Sequence, residues 1–237
     1  MTATAELDRA RVLTALAAVR DPELDEPITT LGFVSSCTVS PGGDAVVRLR
    51  LPTYFCAPNF AFLMVADAYD AVAAIEGVGA VDVALDDHFA SEAINSGVAA
   101  RAGFARSFEG EADGELDRLR ADFLRKAVLA GTDQVCRPLL AAGTTPAGLT
   151  ALTLGEVPPS VELDRLRARR ADLGLPASPD AALVLDPVTG QAVGADGLPL
   201  HLRKARLTRV GIEANTGICR GMLRHRYSGT GQGEDTN

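Results

Sequence analysis

Val47-Arg48-Leu49-Arg50-Leu51-Pro52-Thr53-Tyr54-Phe55-Cys56-Ala57-Pro58-Asn59-Phe60 decides how the first half of the chain folds. Val47, Leu49 and Leu51 alternate with Arg48 and Arg50, which is the period of a strand with one buried and one wet face. Pro52 ends that pattern. Pro58 suits the first turn of a helix, where its missing N–H costs nothing. After it, Phe60, Leu63, Met64, Ala68, Ala71, Val72 and Ile75 recur at helical spacing. The stretch is therefore a strand that runs through a short loop into a helix over about 58–76, with Cys56 in the loop.

Working outward, residues 33–39 read as a second strand. Pro41-Gly42-Gly43-Asp44 joins it to the strand at 44–51 as a hairpin. Upstream, Val12, Leu13, Leu16 and Val19 share one face of a helix over 6–19, which Asp21-Pro22 stops, because the residue before proline leaves the α region. Downstream, Gly77-Val78-Gly79 ends the helix, 80–85 is a strand, and His88 to about Ala100 is another helix. The order α-β-β-α-β predicts a two-layer α+β domain over residues 1–106.

Around 103–114 the composition shifts to Gly, Ser, Glu and Asp, which marks a linker. Residues 107–237 read as a second, helical and mixed domain. Its helices are placed at 115–130, at 133–142 with Cys136, and at 160–173. Residues 182–212 read as short strands. They turn at Asp186-Pro187-Val188-Thr189-Gly190 and continue as a basic strand to Ile212.

The chain has 237 residues, 47% of them hydrophobic and 23% charged, enough apolar surface for a packed core. No apolar run is long enough to span a bilayer, and the first ten residues hold no secretion signal, so a cytoplasmic protein without a membrane role is expected. The net charge is −8, and residues 1–110 hold the whole acidic excess, with 7 Lys+Arg against 15 Asp+Glu. That balance argues against nucleic acid as a partner. Residues 201–227 carry seven basic side chains and one acid, Glu213. Such a stretch is either a solvated face or a dock for an acidic partner.

Cys37, Cys56, Cys136 and Cys219 are widely spaced and include no Cys-x-x-Cys pair, so neither a disulfide framework nor a zinc knuckle is expected. Cys56 has the strongest chemical case. The unpaired N–H groups of a helix N-terminus favour thiolate, the form that binds metals and attacks electrophiles. A free cysteine is also often a small buried apolar residue, so the residues alone leave function and packing open. Cys219 lies between Gly217 and Gly221, which permits close backbone approach. Asp86-Asp87-His88 mixes carboxylates with an imidazole, but three adjacent residues do not face one point. Cys37 and Cys136 read as core.

Asp21-Pro22-Glu23 after the first helix, Leu31-Gly32 before the first strand, and Thr53 followed by Cys56 and Pro58 at the strand-to-helix turn together resemble the MIP18-like (DUF59) metal–sulfur cluster assembly family. The resemblance covers residues of about 8–105. Here Ala57 separates the cysteine from the proline, and Phe89 stands where the family has Trp. The resemblance implies a non-catalytic maturation factor for iron–sulfur clusters or other metal centres. It implies iron or an iron–sulfur cluster, held transiently, on Cys56. It also implies a client apo-metalloprotein, such as an oxygenase component. The resemblance does not reach the second domain, which on the maturation-factor reading would be a client-specific handle. Asp21, Glu23, His88 and Cys219 are the further candidate ligands. Thr53 would cap the following segment or hydrogen-bond the thiolate, with Pro58, Leu31 and Gly32 in supporting places. An open sheet edge makes a homodimer sharing one metal a reasonable expectation. The competing readings are a scaffold subunit of an oxygenase complex, using no thiol chemistry, and an enzyme with Cys56 as nucleophile. A histidine partner for the latter would come from His88, His201 or His225.

Overall fold

A computed structural model describes residues 7–108 and 114–228. The chain divides into two compact units, one of residues 1–116 and 215–237, the other of residues 117–214. The first unit thus runs past residue 106 and takes in 215–228 of the described residues.

The first unit begins with α1 (Arg9–Leu16), whose N-cap Asp8 accepts a hydrogen bond from the Arg11 N–H at 2.8 Å. Its buried Val12 and Leu16 are four residues apart, on one face. The one-turn α2 (Ile28–Leu31) has no sequence periodicity to betray it. It ends at Gly32, whose φ of +79 is left-handed. A Cβ there would also come within 3.3 Å of the Leu223 side chain, so glycine fits on both counts.

β1 (Val34–Val39) and β2 (Ala45–Leu49) pair antiparallel, with Cys37 opposite Val47 and an irregularity between Val34 and Ser36. In the turn between them Gly43 takes φ +87, and its carbonyl accepts the Gly79 N–H at 2.9 Å. The Gly77-Val78-Gly79 turn is thereby pinned to the hairpin. α3 (Pro58–Ala73) leads to β3 (Val81–Leu85), which lies parallel to β2, so the sheet order is β1-β2-β3. Ala45, Val47 and Leu49 are buried in alternation along the central strand, as the pattern of the opening stretch requires. They meet Ala61, Val65, Ala68 and Val72 of α3 in one core. Each fully buried valine or leucine among them contributes about 1.5–3 kcal/mol by leaving water.

α4 (Ser91–Ala99) packs on β3 and fixes the strand's end. The Asn95 side chain accepts the Leu85 N–H at 2.8 Å and donates to the Leu85 carbonyl at 3.1 Å. Residues 103–108, expected as linker, instead contain α5 (Phe104–Ser107). Phe104 is buried against Phe62, ring centroids 5.4 Å apart, so an aromatic anchor overrides the Gly/Ser signal there. Residues 109–113 of the expected linker lie outside the described residues. The α+β class is as expected, with α2 and α5 as additions.

In the second unit, the two helices expected at 115–130 and 133–142 are one, α6 (Glu115–Ala141), with Pro138 tolerated in its last turns. α7 (Pro146–Ala151) starts at a Thr145 cap, and α8 (Val161–Asp172) at a Ser160 cap. The strands expected over 182–212 are absent among the described residues. Single bridges, Thr153 to Ala182 and Leu185 to Ala192, stand in place of a ladder. From Leu198 the chain is α9 (Leu198–Tyr227). Leu198, His201 and Ala205 are buried at spacings of three and four, which is helical. The basic run of Arg203, Lys204, Arg206 and Arg209 obscures that period in the sequence. The unit's core gathers Val128, Cys136, Leu149, Leu166, Leu183 and Leu185. Among the described residues no helix is long and apolar enough to cross a membrane.

Candidate functional site

After β2 the chain buries Leu51, and the loop that follows is tied to its surroundings through main-chain groups. Arg226 donates from Nη1 to the Leu51 carbonyl at 3.1 Å and from Nη2 to the Asp87 carbonyl at 2.6 Å. It also pairs with the Asp87 carboxylate at 2.6 Å, and the Tyr227 hydroxyl donates to the same carboxylate at 3.2 Å. Asp87 itself sits at φ +53. The end of α9 thus holds both the loop after β2 and the loop after β3.

Cys56 is half-buried in the first of these loops. Its Sγ lies 3.2 Å from Thr53 Oγ1. The Phe55 N–H donates to that oxygen at 3.2 Å, which leaves the hydroxyl proton free to point at sulfur. Ala57 is the N-cap of α3 and makes no side-chain cap, and Pro58 is in the first turn. The buried His88 ring braces the loop from the other side. The Ala90 N–H can only donate, so His88 Nδ1 accepts it at 3.2 Å. Nε2 therefore carries the proton and donates to the Cys56 carbonyl at 2.8 Å. Burial, assisted by the Arg226 charge, lowers the His88 pKa and favours this neutral tautomer. With both nitrogens engaged on backbone groups, His88 acts here as a brace.

Asp21 is buried, and its Oδ1 accepts the N–H groups of Glu23 and Leu24 at 2.9 and 2.8 Å. Burial outweighs these bonds and pushes its carboxyl up to about 6. Glu23 accepts from the Asn215 side chain at 3.1 Å, which brings the acidic turn to the last turns of α9. Cys219 lies four residues further along that helix, half-buried against the first unit's core, as Cys56 is. Burial pushes the Cys219 thiol up to about 11. Asp21, a Cys56 thiolate and Glu23 lie close enough to oppose its ionisation further. The structure thus brings Cys56, Cys219, Asp21 and Glu23 into one neighbourhood from three separated segments.

Two soft thiol donors and two hard carboxylates suit iron better than magnesium or calcium. Among the described residues, however, no group of three or more such side chains is arranged to hold a metal ion. The four side chains do not by themselves make a metal site. Cys219 would also have to release a proton on binding.

Beside Cys56 lie three rings that no periodic pattern groups. Phe55 is 76% exposed, and Tyr54 and Phe89 are also exposed. Tyr54 and Phe55 meet edge-to-face at 5.0 Å, and Phe55 and Phe89 lie 5.9 Å apart. Paired aromatics flanking a cysteine in a loop were the available signal. Arg226 and Tyr227 left none, since their partners are about 140 to 175 residues away in sequence. The other two thiols are core residues. Cys37 is buried in β1, with its thiol raised by burial, and Cys136 is buried in α6 and pushed up to about 12.

Residues 9–83 match the model of a family described as iron-sulfur cluster assembly protein. An iron-sulfur cluster carrier protein of Mycobacterium leprae (strain TN) is 38% identical over 78 residues, which cover 33% of this chain. The matched segment spans only 20% of that relative's length. No solved structure gives a significant match. The resemblance drawn from Asp21, Leu31-Gly32 and Cys56 thus holds over 9–83, a shorter span than 8–105.

Proposed function

We propose that this protein serves iron–sulfur cluster assembly or carriage, taking iron or a cluster as cargo on Cys56 and passing it to a client apo-metalloprotein. The observation that carries this reading is the loop itself. A half-buried thiol sits within reach of a hydroxyl donor and is held by main-chain ties on both sides. Cys219 is the second thiol, and Asp21 and Glu23 are the outer carboxylates. The incomplete donor set favours cargo that is shared, since the missing ligands then come from the client or from a second copy in a homodimer. The exposed rings of Tyr54, Phe55 and Phe89 supply apolar contact area where such a partner would approach the thiol. An oxygenase component is one class of client that fits.

No turnover is assigned. His88 spends both ring nitrogens on backbone groups, so it does not serve as a general base for Cys56. The test is transfer. Protein loaded anaerobically with iron and sulfide is mixed with an apo-ferredoxin, and the acceptor's circular dichroism is followed. Wild type should convert the acceptor, Cys219→Ser should slow conversion several-fold, and Cys56→Ser should abolish it. Conversion unaffected by Cys56→Ser would remove Cys56 as the cargo ligand, and failure of both proteins to load or transfer would instead favour a scaffold that recognises clients without carrying their metal.

A further inference from the structure

The first unit contains an open cleft of about 680 Å³ that the cysteine chemistry does not use. Its walls include Arg50, Arg220, Arg224, Tyr227, Leu31 and Leu223. Arg220, Arg224 and Tyr227 follow one another at spacings of four and three on α9, so they share a face. Arg50 arrives from the end of β2 and lies over the Tyr227 ring, 4.7 Å from its centroid. Its Nε donates to the Gly32 carbonyl at 3.3 Å, which fixes the guanidinium at the cleft wall.

Among the described residues, no carboxylate pairs with Arg50, Arg220 or Arg224. Arg220 Nε is buried with no hydrogen-bond acceptor. Asp87, the carboxylate that reaches Tyr227, is already spent on Arg226. Three positive charges therefore line one concave surface in a unit whose sequence is otherwise acid-rich. Elsewhere in the same unit the pattern differs, since Arg48 and Arg226 each have a carboxylate at 2.6 Å.

We propose that this cleft binds a small organic anion bearing two or more carboxylate or phosphate groups. Guanidinium groups match both anions in geometry, donate to them bidentately and stay charged at every physiological pH. The volume lies within the roughly 300–1,000 Å³ of small-molecule sites, and Leu31, Leu223 and the Tyr227 ring offer apolar walls for the ligand's carbon frame. The site is independent of Cys56, so it stands or falls separately from the cluster reading.

Calorimetric titration of the full chain with pyrophosphate and, separately, citrate tests it. Saturable binding of at least one probe is expected, weakening several-fold in 0.5 M salt. The stronger probe identifies the anion class. Arg220→Gln combined with Arg224→Gln should weaken binding tenfold or more. Because Arg220 is half-buried, Arg224→Glu, at an exposed position, is the second variant and should do the same. Arg101→Gln, away from the cleft, and Cys56→Ser should bind as wild type. No saturable binding of either probe at millimolar concentration would overturn the proposal. So would binding that survives both Arg224→Glu and the double variant.

Discussion

Cys56 and Cys136 are the same residue in opposite settings. Cys136 lies on α6 among Val128, Leu149 and Leu166, and burial lifts its thiol to about 12. Cys56 lies half-buried in a loop, 3.2 Å from a hydroxyl, with its carbonyl held by His88. The first environment protects a methyl-sized apolar group. The second holds a reachable donor atom in place, and the difference is made by backbone position and neighbours rather than by the cysteine.

The comparison can be broken most severely in the second unit. Arg170 is fully buried and donates to the Ala182 and Leu183 carbonyls, taking the place of a strand partner for that segment. Burial lowers its pKa to about 10, so it stays charged at pH 7. Arg170→Ala leaves those carbonyls unpaired and opens a cavity, and should cost about 3–5 kcal/mol in urea unfolding. A loss below about 1 kcal/mol would show that water replaces the guanidinium easily. Cys136→Ser puts a hydroxyl among aliphatic side chains and should cost about 1–3 kcal/mol, whereas Cys56→Ser should change stability by less than about 0.5 kcal/mol. Equal losses at the two sites would erase the distinction drawn between them.

The smallest effect is in pH dependence. His201 is buried in the second unit, and burial lowers its pKa below 6.5, with Lys204 and Arg170 acting in the same direction and Asp186 opposing. The folded state thus binds its proton less readily than the unfolded chain does. The resulting stability is present above pH 6.5 and is lost as pH falls through the lower folded value. Asp21, pushed up to about 6, acts in the opposite sense through the same window, so the test is the variant: the change in urea midpoint from pH 7 to pH 5 should be less negative in His201→Leu than in wild type. An unchanged slope in the variant would assign the effect to other groups.

Much of the first unit could be read from sequence because its signals are local. The Val47-Leu49-Leu51 alternation, the Pro41–Asp44 turn and the α3 stripe each specify their element within a dozen residues. α2 is too short for a period, and α5 depends on Phe104 finding Phe62. α9 differs from the expected basic strand because the basic run from Arg203 to Arg209 obscures the buried positions 198, 201 and 205, which follow the helix. The site was half legible. Cys56, Thr53 and Pro58 sit in one stretch, but the approach of Cys219 to Asp21 and Glu23 joins segments almost 200 residues apart. No local pattern encodes such a meeting.

The most direct measurement is anaerobic reconstitution with iron and sulfide, wild type beside Cys56→Ser and Cys136→Ser, followed by metal analysis and visible absorbance. Iron and sulfide retained by wild type and Cys136→Ser, and lost in Cys56→Ser, is the result this account predicts. Equal iron in all three proteins, or none in any, would contradict Cys56 as the ligand that receives the cargo.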